Sequence, residues 1–209
     1  MRSRAQLILP SLVSPPNDES LHIRTDEELA LRGRGLKEIC DVLDVLRIHY
    51  YLSGGALLGV VREGDFIKWD FDVDIDAKTE IVRPRRDALI SALKKTGFHI
   101  QEYNPGKTDF KISSMKYGTR YEITGYLKMG KMRYRRRSHY PDSFCQNGSE
   151  VVLCGEKYKT FGFPEKYLEW FYGDWKTPRR VANNYVTDRS RTGPISLALL
   201  EVFSLFKRL

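Results

Sequence analysis

Asp70-Phe71-Asp72-Val73-Asp74-Ile75-Asp76 alternates carboxylate and apolar residue without a break. Successive side chains of a β-strand point to opposite faces. This period of two therefore reads as a strand with four aspartates on one side and Phe71, Val73 and Ile75 on the other. Same-face neighbours lie about 6.5 to 7 Å apart. At an effective dielectric of about 20, each neighbouring carboxylate pair repels by about 2.5 kcal/mol. Phe66, Ile67 and Trp69 come just before the row, so a fully solvated edge suits the segment poorly. A hard divalent cation among the carboxylates suits it better, because carboxylate oxygens are Mg²⁺ ligands and Mg²⁺ is commonly shared with substrate phosphates. A calcium loop is excluded: counting from Asp70, Ile75 stands where that loop needs glycine and Ile81 where it needs glutamate.

Upstream of the acidic row, Tyr50 to Leu52 reads as a short strand running into Ser53-Gly54-Gly55, with a helix opening over Ala56 to Val61. Small residues at such a junction let backbone N–H groups approach phosphate oxygens closely, and the helix N-terminus adds favourable charge. A phosphate cradle followed by a carboxylate pair on the next strand is the minimal kit for metal-assisted attack on a nucleotide phosphate.

Farther out, Thr25-Asp26-Glu27-Glu28 reads as a capping box, and Leu29, Leu36, Ile39, Cys40, Leu43 and Leu46 recur at helical spacing to about His49. Arg85 to Gly97 reads as a helix with a glycine stop. Phe98 to Tyr103, Asp109 to Tyr117 and Arg120 to Lys128 read as strands, and Phe144 to Leu153 as a hairpin around Asn147-Gly148. Between these lies a basic stretch, Lys131 to His139. Glu165 to Tyr172 fits a short helix, and Ile195 to Leu209 a final amphipathic one. This order predicts an α/β (α+β) domain, a mixed sheet flanked by helices with a C-terminal helical segment. Residues 1–20 are expected to be a flexible N-terminus, and 21–209 a single domain.

The 209 residues carry 35 Lys and Arg against 27 Asp and Glu, a net charge of +8. That excess fits an anionic partner. Three cysteines with no C-x-x-C spacing exclude a disulfide scaffold and a structural zinc site of that kind. No apolar run approaches the roughly 18 residues a membrane span needs. With no export signal and few cysteines, a cytoplasmic location is expected, with peripheral membrane contact through the last helix as its extension. Cys40 falls on the apolar face of the first helix, while Cys145 and Cys154 flank the expected hairpin as free thiols. Tyr172, Trp175 and Trp170 fit either stacking on a base or sugar or packing of the closing segment.

Leu52-Ser53-Gly54-Gly55-Ala56-Leu57-Leu58-Gly59, followed by Phe66-Ile67-Lys68-Trp69-Asp70-Phe71-Asp72-Val73-Asp74, resembles the LicD family, which has a polymerase-beta-like nucleotidyltransferase fold. That family includes bacterial phosphocholine transferases and the fukutin-related ribitol-phosphate transferases. Phe163-Pro164, Tyr167-Leu168 and Tyr172-Gly173-Asp174-Trp175-Lys176-Thr177-Pro178 are similar to its closing motif, so the resemblance spans residues 35 to 180. Phe71 stands where many bacterial members carry another aspartate, and Ala56 replaces the usual threonine.

The resemblance implies Mg²⁺-dependent transfer, with Mn²⁺ as the alternative ion. A phosphate-linked alcohol (phosphocholine, ribitol phosphate or glycerol phosphate) would pass from a CDP-activated donor to a hydroxyl of a glycan or lipid-linked glycan, releasing CMP. Asp72 and Asp74 would hold the ion with Asp70 assisting. Glu122 would be the third carboxylate, as ligand or general base, with Asp109 as the alternative. Ser53, Gly54, Gly55, Arg62 and Lys68 would meet the donor. Arg133, Arg135, Arg136 and Arg137 would either neutralise phosphate charge or form a solvated loop. Two rivals stand beside this reading. One is a nucleotidyltransferase that moves a nucleoside monophosphate onto a small molecule. The other is a non-catalytic basic module for nucleic acid or anionic surfaces, which leaves the aspartates without a purpose.

Overall fold

The computed structural model describes residues 22–106, 109–136 and 138–178. The N-terminal arm, Arg137 and the final helix expected over Ile195 to Leu209 lie outside the described residues.

Helix α1 (Asp26–Val45) starts as its sequence predicts. The Thr25 hydroxyl accepts from the Glu28 N–H at 3.2 Å, and the Thr25 N–H donates to the Glu28 carboxylate at 2.7 Å. It ends sooner than expected. The Arg47 N–H donates to the Asp44 carbonyl and the Ile48 N–H to the Leu43 carbonyl, with Arg47 at φ 53°. These paired bonds and the left-handed residue form a Schellman stop. An arginine holds the position usually taken by glycine, so the sequence carries no mark of it. After the single turn of α3 (Thr79–Val82), helix α4 (Arg86–Lys95) closes the same way on Gly97 at φ 84°, a stop that the glycine marks in the sequence.

The described strands form a seven-stranded mixed sheet and a separate hairpin. In the large sheet β1 (Tyr50–Leu52) lies antiparallel to β2 (Asp72–Lys78), and β2 lies parallel to β5 (Thr119–Met129). β4 (Phe110–Lys116) and β3 (His99–Pro105) follow antiparallel beyond β5. The far end of β5 turns into β6 (Met132–Arg135), which pairs with β7 (Ser138–Pro141). One face of the sheet presents Val73, Ile75, Ile112, Tyr121 and Ile123, all fully buried. α1 covers it: the Tyr121 hydroxyl donates to the Arg32 carbonyl at 2.9 Å. The opposite face carries the acidic residues. It is bounded by the start of α2 (Gly54–Glu63) and by α5 (Pro164–Tyr172).

Three expectations change. The acidic strand begins at Asp72 rather than Asp70. Residues 67–70 make a turn, with the Asp70 N–H on the Ile67 carbonyl at 3.0 Å, and Phe71 is exposed rather than packed with Val73. The hairpin is not centred on Asn147-Gly148. β8 (Ser149–Leu153) pairs with β9 (Glu156–Thr160) through Cys154 at φ 52° and Gly155 at φ 78°. Two successive left-handed residues match the twist of the flanking strands. Cys145 is buried and Cys154 exposed, both as free thiols. The basic stretch is not a loop but β6 and β7, and Arg133 is buried within it.

Candidate active site

Strand register builds the site. β2 and β5 run side by side with Asp72 opposite Arg120, Asp74 opposite Glu122 and Asp76 opposite Thr124, and these alternating residues share a face. On it, one carboxylate oxygen each from Asp72, Asp74 and Glu122 can be chosen such that all lie within 4.8 Å of one another. Lys111 on β4 pairs with Glu122 at 2.7 Å and with Glu102 at 3.3 Å. Among the described residues no ion pair ends on Asp72 or Asp74.

The four aspartates divide into three roles. Asp76 is buried and closed off: its carboxylate accepts from the hydroxyls of Ser53 at 3.0 Å, Thr124 at 2.9 Å and Tyr167 at 3.5 Å. Burial pushes it up to about 6 even against those three donors. It ties α2, β5 and α5 to β2 instead of joining the open cluster. Asp72 and Asp74 face the cluster. Burial and the neighbouring carboxylates Asp70 and Glu122 push Asp72 up to about 7. Asp74 is pushed well above the usual carboxylate range, by burial first and then by Asp72 and Glu122.

Asp70 sits in the turn ahead of the strand, its carboxylate accepting from the backbone N–H groups of Phe71 and Asp72. Two arginines hold that turn from behind. Arg32 Nη2 donates to the Asp70 carbonyl at 2.6 Å; Arg24 donates to the same oxygen and, at 3.2 Å, to the Phe71 carbonyl. Arg32 is fully buried, with Nε and Nη1 unpartnered, and burial lowers it to about 10.

The paired glycines acquire a direct reason. A Cβ on Gly54, which has φ 55°, would stand 2.1 Å from Asp74 Oδ2; one on Gly55 would stand 2.0 Å from Asp70 Oδ2. The carboxylates occupy the space that any side chain would need. The N-terminus of α2, with its partial positive charge, is thereby pressed against the acidic cluster. Tyr172 at the end of α5 is near as well: burial and the charges of Asp74, Asp70 and Asp72 push its phenol well above the usual range.

Other expected site residues lie apart from the trio. Arg62 pairs with Glu63 at 2.5 Å and reaches the Trp175 carbonyl at 3.5 Å. Lys68 pairs with Asp26 at the start of α1, at 3.0 Å. Asp109 is held by Arg136 at 2.6 Å and by Asn104 at 2.8 Å, outside the trio that includes Glu122. Trp170 packs: its indole N–H donates to the His139 carbonyl at 2.8 Å. Sequence reading missed Arg24, Arg32, Lys111 and Arg120. Arg32 had a signal, lying three residues after Leu29 and four before Leu36 on the buried stripe of α1.

Three oxygen donors without a soft ligand suit a hard divalent ion. Among the described residues no ion-paired cation sits on Asp72 or Asp74, which leaves their oxygens open to it. The donor set therefore fits Mg²⁺.

A mixed sheet with a glycine turn and carboxylates on neighbouring strands defines a nucleotidyltransferase-fold domain. The solved structure of the antibiotic-resistance factor ANT(2'')-Ia in solution shares the fold, with a TM-score of 0.53 at 15% identity over 86% of this chain and 97% of that one. Residues 47–169 match the LicD/FKTN/FKRP nucleotidyltransferase-domain family, and the chain belongs to that family. Ribitol 5-phosphate transferase FKRP of Mus musculus and of Homo sapiens are each 43% identical to it over 53 residues. Those matches cover 23% of this chain and only 11% of the length of either relative.

Proposed function

We propose that the domain transfers a phosphate-linked alcohol from a CDP-activated donor to a glycan hydroxyl in a Mg²⁺-dependent reaction that releases CMP. The observation that carries this reading is the trio of Asp72, Asp74 and Glu122 beside the glycine turn. Kinship with a ribitol 5-phosphate transferase supports it. A Mg²⁺ ion held by the trio would supply charge neutralisation to the donor's phosphoryl oxygens. Asp72 and Asp74 would hold that ion on the side of the site where the donor diphosphate is to bind. The acceptor oxygen forms a bond to the phosphorus carrying the alcohol, the bond from that phosphorus to the CMP oxygen breaks, and Glu122 takes the hydroxyl proton. Lys111 orients Glu122 for this, and the backbone at Gly54 and Gly55 lines the approach.

The test incubates the protein with CDP-choline, CDP-ribitol or CDP-glycerol, an oligosaccharide acceptor and Mg²⁺, and follows nucleotides by chromatography. CMP formed only when acceptor and metal are both present supports the reading. Pyrophosphate released from a nucleoside triphosphate establishes nucleoside monophosphate transfer in its place. The basic-module reading loses ground on the structure, since Arg133 and Arg136 are engaged in ion pairs within the chain.

The raised carboxylates predict how metal and pH interact. Asp72 starts from 3.8 and reaches about 7, so the folded, metal-free chain holds a proton that the unfolded chain has released. The favourable contribution is present below the unfolded value and lost as pH rises towards the folded one. Asp70, Asp74 and Asp76 act with the same sign. In EDTA the melting temperature is expected to fall between about pH 4 and pH 7. Mg²⁺ should restore it at the upper end, because binding requires the ionised carboxylates. Calorimetric titration of Mg²⁺ should show proton release near pH 6; binding independent of pH across this range would contradict the assignment.

A further inference from the structure

The acidic face carries basic residues as well, and one of them, on β5, sits at its end nearest Asp72. Arg120 stands opposite Asp72 on β5, two residues before Glu122 and on the same face. The cations around it are engaged: Lys111 with Glu122, Lys116 with Glu38, and Arg24 with the carbonyls of Asp70 and Phe71. Arg120 enters no ion pair among the described residues, and its Nε is buried without a hydrogen-bond partner. Its guanidinium carbon lies 5.8 Å from the ring centroid of Phe71, which is 37% exposed. A guanidinium lying on a ring keeps its N–H edge available, and that edge forms a planar fork suited to phosphate oxygens.

The fork borders a cavity of about 150 Å³ between the turn ahead of β2 and the β4–β5 hairpin, lined by Arg24, Phe71, Met115, Gly118 and Arg120. At about 30 Å³ per water, that is room for roughly five waters: enough for a phosphate group, too little for a nucleoside. Glu28, the acid on its wall, is occupied by the Thr25 N–H at 2.7 Å and by His22 at 2.9 Å.

We infer that Arg120, supported by Phe71, is a subsite for a phosphate group one strand across from Asp72. The phosphate belongs either to the donor's diphosphate or to a phosphorylated acceptor. Only this choice of bearer rests on the transferase reading; the binding of phosphate itself does not.

The first experiment uses the full chain in EDTA at constant ionic strength. Inorganic phosphate is titrated while the Arg120 Nε–Hε resonance is followed by NMR, and affinity is compared across variants. A saturable shift is expected, with affinity at least about 10-fold weaker in Arg120→Gln and unchanged in Lys157→Gln, a control of equal charge at an exposed position of β9. Equal phosphate affinity in Arg120→Gln and the parent, with both folded by circular dichroism, overturns the subsite. The second experiment reads steady-state transfer by Arg120→Gln at unchanged Mn²⁺ affinity. An approximately 10-fold rise in KM for the CDP donor assigns the phosphate to the donor, and the same rise for a phosphorylated acceptor assigns it to the acceptor. Neither KM moving overturns its place in transfer. If no CDP-alcohol turns over at all, the transferase reading fails while phosphate binding in EDTA still stands or falls separately.

Discussion

Asp74→Ala is expected to lower turnover by about 10³-fold while leaving the metal-free protein as stable as its parent or more so. A factor of that size corresponds to about 4 kcal/mol of lost transition-state stabilisation. The stability half of the expectation makes the test sharp. Asp74 is crowded by Asp72, Glu122 and Asp70, its proton affinity is raised, and no ion pair among the described residues ends on it. In EDTA at neutral pH the truncation removes repulsion from a fold that gains nothing from that charge. The truncation removes one carboxylate and no apolar carbon, and Asp74 is only half-buried. Melting curves in EDTA and in Mg²⁺ read both halves. The parent should gain stability from Mg²⁺ and the variant should not. A variant with near-parental turnover removes Asp74 from the chemistry. A collapse of the EDTA melting temperature makes it a structural residue instead.

Arg133→Met should do the reverse, costing about 3 kcal/mol or more of stability without abolishing the metal response. The guanidinium is buried between Asp142 at 2.6 Å and Glu80 at 2.9 Å, and it also donates to the Tyr126 carbonyl at 3.0 Å. Methionine fills the stem but leaves the Asp142 carboxylate, itself largely buried, with Lys128 as its remaining cation. Removing one member of such a pair strands the other in a poor dielectric, which is why the cost exceeds that of an exposed pair. Denaturant melts of the folded variant, alongside Mg²⁺ titration, check this. A loss below about 0.5 kcal/mol would place Arg133 among ordinary surface charges.

Most of the architecture was legible because hydrophobic period and capping chemistry are local. The capping box at Thr25, the glycine stop at Gly97, strands β1 to β5 and the helix after Pro164 stand within a few residues of where the sequence puts them, whereas the hairpin around Asn147-Gly148 does not. What escaped was whatever depends on residues distant in the chain. A Schellman stop on Arg47 looks like any helical arginine. The divergence of Asp76 from Asp72 and Asp74 is decided by Ser53, Thr124 and Tyr167, which approach from three different elements. The burial of Arg133 depends on Glu80, which reaches it across the fold. The family resemblance points to Glu122, with Asp109 as the alternative, but which of them aligns with Asp74 is a matter of register, which local pattern does not fix.

The collision of a Cβ at Gly54 with Asp74, and of one at Gly55 with Asp70, makes the turn and the acids a single interlocked unit. The coupling runs through space: a bulkier residue in the turn evicts a carboxylate, and a carboxylate in place excludes every side chain from the turn. A descendant that had abandoned its chemistry would feel no such restraint. It would be expected to shed both together, so the pair offers a simple way to tell working copies from retired ones.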